Sequence, residues 1–229
     1  QLGEDINFES ELSSTNYLSV DISKNGNFIV VGNPSYNSNS GQLKVFQFSD
    51  NSWQQIGADI NGSDLNYLGD SVQISSDGET IAASSNNESS AFARVYKLNN
   101  GSWDLYKEES INSDDHKYSG RSLSLSDNGE ILAVGSSTNF LKNSDGGFSA
   151  GYIGYEEDPG NVRIYNVLDD NEYITVEAFA DTGTGLKSVG SSVFGEVLAA
   201  SAGNSSDGVV YDVRGYGDIS ASDVKRFSK

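Results

Sequence analysis

Chemistry needs particular side chains, and this sequence supplies few of them. Cysteine is absent, and His116 is the single histidine among 229 residues. Thiol catalysis, disulfide staples and cysteine metal sites are thereby excluded. A Ser-His-Asp triad or a histidine-rich metal site has almost no material. The acidic neighbours of His116, Asp114 and Asp115, read as a solvated loop. Carboxylates are the opposite case, with 33 Asp and Glu against 14 Lys and Arg. A glycosidase pair must be held about 5–10 Å apart in a cleft, and in so acidic a chain no pair stands out. The expectation is no enzyme, no catalytic residue, no cofactor and no metal.

The most individual stretch is residues 136–160. It carries Phe148, Tyr152 and Tyr155, then Glu156, Glu157 and Asp158, broken by glycines. Loops of this length inside compact domains tend to be functional or disordered. Aromatics on an exposed loop offer stacking surfaces to sugars or anchors to a protein partner. Those six residues are the candidate ligand-binding set. A mobile loop, or a packing contact to an adjacent subunit, is the competing reading. Tyr17, Tyr67 and Tyr118 form a second group, at an equivalent place ahead of an innermost strand. Their repetition points to rings packed between repeats, with a ring of binding tyrosines as the alternative.

What must position these residues is a repeat. Ser19 to Gly32, Ser71 to Ser84 and Ser122 to Gly135 align, and Ser192 to Ser201 is a shortened fourth copy. In each full copy, alternating apolar residues such as Val72, Ile74, Ile81 and Ala83 give two strands with one buried face. Asn-Gly or Asp-Gly stands between them, the pair that tolerates positive φ at both central positions of a tight hairpin. Third strands follow at Leu43–Phe46, Ala93–Tyr96, Val162–Tyr165 and Val209–Tyr211. Fourth strands open at Ser52-Trp53 and Ser102-Trp103, with a weaker version near Tyr173–Val176.

Four strands per unit, repeated about every 50 residues, match propeller blades. The fold class expected is all-β, a β-propeller of about four four-stranded blades over residues 1–213. The repeats fall near 14–53, 66–103, 117–176 and 188–213. Residues 1–6, Gln-Leu-Gly-Glu-Asp-Ile, copy Gln55 to Ile60. Ring closure, with residues 1–6 as outer strand of the last blade, is the simplest inference. A piece of a longer array, or half of a larger ring, also satisfies the pattern. Residues 214–229 are left as a tail or the start of another segment. Ser220 or Ser222 could cap a short helix there, running through Phe227.

Tyr67-Leu68-Gly69-Asp70-Ser71-Val72, Tyr118-Ser119-Gly120-Arg121-Ser122-Leu123 and Gly32-Asn33-Pro34 carry a family resemblance. The repeat resembles the FG-GAP repeat of integrin α-subunits and many bacterial surface proteins. The resemblance implies a propeller at a cell surface. Later copies depart from its Gly-Ala-Pro, reading Ser84-Ser85-Asn86, Gly135-Ser136-Ser137 and Ser201-Ala202-Gly203. The family's calcium loop is replaced by a turn too short to wrap a cation that takes six to eight oxygens. Ser75 to Thr80 resembles a sialidase Asp-box with a residue missing. The tail from Asp212 to Val224 resembles a dockerin loop, with Arg214 and Tyr216 where ligands are required.

A formal charge of -19 disfavours nucleic acid and anionic lipid. No apolar run approaches the ~20 residues that span a bilayer. The expectation is a non-enzymatic, secreted or surface-attached recognition and adhesion module. Its partner would be a glycan or a surface protein, or other copies of itself. A structural subunit of a filament, surface layer or virion, and a carbohydrate-active propeller enzyme, are the alternatives.

Overall fold

The structure, a computed structural model, describes residues 2–6, 17–63, 66–85, 91–111, 118–137, 161–168, 173–177, 186–191, 197–202, 208–212 and 224–227. These residues build four antiparallel sheets. The first is β1 (Ser19–Ile22), β2 (Phe28–Asn33), β3 (Gln42–Ser49) and β4 (Ser52–Gln55), with β5 (Ile60–Asn61) pairing farther along β3. The second is β6 (Val72–Ile74), β7 (Thr80–Ser85), β8 (Phe92–Asn99) and β9 (Ser102–Ser110). The third is β10 (Tyr118–Leu125), β11 (Ile131–Ser137), β12 (Asn161–Asn166) and β13 (Tyr173–Glu177). The fourth is β14 (Leu186–Ser191), β15 (Val197–Ala202), β16 (Gly208–Asp212) and β17 (Val224–Phe227).

Each sheet follows chain order, with consecutive strands paired antiparallel, and the period-2 pattern then sorts side chains to two faces. In the second sheet both faces are apolar. Val72, Ile74, Ile81, Ala83, Phe92 and Tyr96 pack on Val30, Leu43 and Val45 of the first. Ala82, Ala93 and Val95 pack on Leu123, Leu125, Leu132 and Val134 of the third. Burying one such Ile or Leu side chain stabilises by about 1.5–3 kcal/mol. The innermost strands adjoin in order, β1 with β6, β6 with β10 and β10 with β14.

The hairpin turns differ from the two-residue reversal the sequence suggests. The glycines take positive φ (74° at Gly26, 76° at Gly78, 71° at Gly129), and the Asn or Asp before each does not. A serine explains the difference. Ser75 Oγ donates to Asp77 Oδ1 (2.5 Å) and accepts from the Thr80 amide (3.0 Å), while the Glu79 amide donates to Asp77 Oδ1 (3.0 Å). Ser23 with Asn25, and Ser126 with Asn128, repeat the pattern. The turn is therefore five residues closed by side chains, the local bonding at which Ser, Asn and Asp excel. Its glycine is also a packing requirement: a Cβ at Gly78 would lie 2.4 Å from Phe28 Cγ.

Two expectations about the chain ends are corrected. The outer strand of the fourth sheet is β17, drawn from the tail, so residues 1–6 do not supply it. Val224–Phe227 is that strand and not a helix, because pairing with β16 offers Val224 and Phe227 a ladder that an isolated short helix lacks. Residues 2–6 lie instead against the first sheet, where Trp53 Nε1 donates to the Leu2 carbonyl (3.1 Å). This copies an internal joint, in which Trp103 Nε1 donates to the Ile56 carbonyl (2.9 Å). Gly3 and Gly57 lie against the two indoles, both at φ 73°. The two tryptophans lock the first and second sheets to the linkers in front of them.

Candidate functional site

Antiparallel order gives the sheets two different ends. The turns at 23–27, 75–79 and 126–130 lie at one end, together with the β3–β4 and β8–β9 reversals. The connection 34–41 lies at the other, with the strand ends at Ser85, Phe92, Ser137 and Asn161 and the inter-sheet residues 62–63 and 66–71.

The turn end is uniform and stitched together. Asn25 Nδ2 donates to the Ser76 carbonyl (3.1 Å), and the Ser76 amide donates to the Asp127 carbonyl (2.8 Å). Lys24 Nζ pairs with Asp127 Oδ2 at 2.8 Å, joining the first turn to the third. The serine-closed turn recurs in the first three sheets, which is what a scaffold needs.

The loop end is individual. Asn37, Ser38 and Asn39 all take positive φ (47°, 58° and 70°), a left-handed turn within Tyr36–Asn39. That conformation costs L-residues roughly 1–2 kcal/mol each, least for Asn. Surrounding bonds hold it. Tyr67 and Leu68 amides donate to the Asn39 and Ser40 carbonyls (2.9 and 3.3 Å), and Gly62 donates to the Gly41 carbonyl (2.8 Å). Leu68 is fully buried beneath, and Tyr67 itself stands at φ 51°. Gly69 and Asp70 amides both donate to the Ser84 carbonyl, and Ser19 Oγ donates to the Gly69 carbonyl (2.7 Å). Tyr17 gives its hydroxyl to the Asp70 carboxylate. The described residues of this end thus hold Tyr17, Tyr36 and Tyr67 beside Asn37, Ser38 and Asp70 on a clamped backbone. Rigid tyrosines with adaptable amides and hydroxyls suit recognition of a sugar or a peptide.

The six sequence candidates, Phe148, Tyr152, Tyr155, Glu156, Glu157 and Asp158, lie outside the described residues. Their segment leaves and rejoins the third sheet where Ser136 pairs with Asn161, at the loop end. The tyrosine group is less regular than its sequence suggests. Tyr67 and Tyr118 stand four residues ahead of Ser71 and Ser122, whereas Tyr17 stands two ahead of Ser19. Tyr17 is accordingly half-exposed and bonded to the neighbouring sheet's entry segment rather than packed between sheets. Sequence reasoning missed Tyr36 and the left-handed turn. The run Asn37-Ser38-Asn39-Ser40-Gly41, rich in residues that tolerate positive φ, carried the signal.

Other polar groups are occupied structurally. Arg94 reaches Glu108 Oε2 (2.5 Å) and lies 3.9 Å over the Phe92 ring. Lys107, buried, donates to the Asn166 carbonyl of the third sheet (3.0 Å). Asp21 on β1 accepts from the Ile74 amide (2.8 Å), satisfying a donor on the innermost edge of the second sheet. Burial raises the Asp21 pKa above its ordinary 3.8, against the lowering effect of the Ile74 and Ile22 amides. A shallow depression lined by Glu4, Asp5, Ile6, Phe46, Ser52 and Trp53 opens beside the first tryptophan lock. Among the described residues no group of three or more His, Asp or Glu is placed to hold a metal ion. No helix among them is long and apolar enough to cross a membrane.

Stacked antiparallel four-stranded sheets in chain order, joined through their innermost strands, define an all-β fold that matches β-propeller structures. Three solved structures carry the comparison. Hydrazine synthase from Kuenenia stuttgartiensis matches at TM-score 0.57 and 14% identity, covering 85% of this chain and 52% of that one. A protein named as a 6-phosphogluconolactonase from Bacteroides uniformis matches at 0.56 and 11%, covering 98% and 57%. Its counterpart from Bacteroides fragilis matches at 0.56 and 12%, covering 89% and 52%. This chain spans about half the length of these structures. No protein-family model matches it, and neither does any curated protein sequence.

Proposed function

We propose that this chain is a non-enzymatic recognition module, secreted or attached at a surface, whose loop end engages a glycan or a protein partner. The observation that supports this most is the contrast between the two ends. One is a set of near-identical turns bonded to each other; the other carries the left-handed turn beside Tyr36 and Tyr67, and the strand ends Ser137 and Asn161 that flank residues 138–160. Binding residues concentrate on variable loops over a rigid scaffold, and a left-handed turn held by its neighbours is strain of the kind found at functional sites. The FG-GAP-like repeat fits the same reading, and surface adhesion is the role it suggests.

The test is a glycan array and a panel of extracellular matrix proteins, probed with wild type and with Phe148→Ala/Tyr152→Ala/Tyr155→Ala. Binding by wild type that weakens about tenfold or more in the variant, at unchanged thermal midpoint, supports the reading. Turnover of a glycan by wild type would replace it with the enzymatic alternative.

A further inference from the structure

The first sheet carries a face that no described residue of the chain covers. In the second and third sheets two residues of the innermost strand face the preceding sheet. In the second sheet they are Val72 and Ile74, 3% and 6% exposed beneath Val30, Leu43 and Val45. In the third they are Leu123 and Leu125, 4% and 7% exposed beneath Ala82 and Val95. In the first the equivalent residues are Val20 and Ile22, and these are 65% and 53% exposed. The linker half of the joint is already present, since Leu2 and Gly3 lie on Trp53 as Ile56 and Gly57 lie on Trp103. The missing half is the rear face of another sheet of the same repeat.

The fourth sheet has such a face by register. On the rear of the first sheet Val30 pairs with Val45, and on the second Ala82 pairs with Val95. The third repeats this with Ala133 and Ile164, and the fourth with Ala199 and Val210. No fifth sheet follows it among the described residues. Val20 and Ile22 nonetheless stay exposed with the fourth sheet present in the same chain.

We propose that the front of the first sheet receives the rear of the fourth sheet from a second copy of this chain. Two such head-to-tail contacts close a two-fold ring of eight sheets, so the interface does not propagate into a filament. The joint continues the sheet-to-sheet packing already seen twice inside the chain and demands no new chemistry. Repulsion between two chains of charge -19 opposes it, but exposed charges farther apart than about 8 Å are screened at physiological salt. This inference stands apart from the ligand reading and survives its failure.

The experiment is light scattering with sedimentation equilibrium on the whole chain, from about 1 to 100 μM in 0.15 M NaCl. The expected result is a concentration-dependent dimer, twice the 24.5 kDa chain mass. Val20→Glu/Ile22→Glu is expected to remain monomeric throughout, with the urea midpoint of wild type diluted to its monomer. Wild type that stays monomeric at 100 μM overturns the proposal, as does a dimer the double variant leaves intact. A monomeric wild type whose double variant loses stability also overturns it, because the chain's own fourth sheet then covers the face.

Discussion

Single side chains set the strength of each sheet-to-sheet joint, and Asp21 is the most informative. Its carboxylate caps a backbone donor of the neighbouring sheet while losing water. Desolvation dominates, so the folded state holds the proton more tightly than the unfolded chain does. Stability from this group is therefore fully present below about pH 3.8 and declines as pH rises through the raised folded value. Asp21→Asn keeps an acceptor for the Ile74 amide and removes the titration. Urea midpoints across pH 3 to 7 are expected to show the variant gaining on wild type as pH rises through that window. A constant difference across the range would mean that Asp21 does not titrate with folding. The lock residues give a second prediction. Gly57→Ala forces a left-handed φ on a side chain whose Cβ would lie 2.6 Å from Trp103 Cδ1. The expected loss is about 1–3 kcal/mol, read as a lower urea midpoint, whereas Ala at exposed Gly101, with open space around its Cβ, adds only the φ strain.

At the scale of elements, the turn and the strand pair act as one unit, and the serine that closes the turn stabilises both. Ser75→Ala leaves the buried Thr80 amide and the Asp77 carboxylate without their shared partner. A cost of about 1–3 kcal/mol is expected, measured by chemical denaturation, with Ser126→Ala behaving alike because its bonds are the same. These elements were largely legible in the sequence, since alternation at Val72, Ile74, Ile81 and Ala83 depends only on the period of a strand. The turn chemistry was half legible: the Asx-Gly pair announced a reversal, but the serine two positions earlier is visible as a partner only in three dimensions. The tail was misread because Val224 to Phe227 is too short for periodicity to declare a strand, and its partner β16 supplies the decision. The six candidate residues lie outside the described residues, and the loop-end contacts were not legible in the sequence. Tyr36 is the third residue of a polar connection, and no repeat marks it. Its turn is held from outside the connection, by the Tyr67 and Leu68 amides on the Asn39 and Ser40 carbonyls.

At the scale of the whole molecule, repetition explains both what is filled and what is open. Each sheet cannot bury two faces alone, so stability accumulates joint by joint, and the second sheet, covered on both sides, is the most committed. Ile81→Ala, at a fully buried position between the first two sheets, is expected to cost about 2–5 kcal/mol in thermal or urea unfolding. The same logic separates scaffold from function: features repeated in every sheet serve the stack, and features present once are free to serve a partner. The most direct test of that division compares two variants on whichever ligand the array returns. Tyr36→Ala, at the loop end, is predicted to weaken binding about tenfold or more. Lys24→Ala/Glu79→Ala, at the turn end, is predicted to leave affinity within twofold of wild type. Binding lost in the turn-end variant and retained in Tyr36→Ala would contradict the assignment of the two ends.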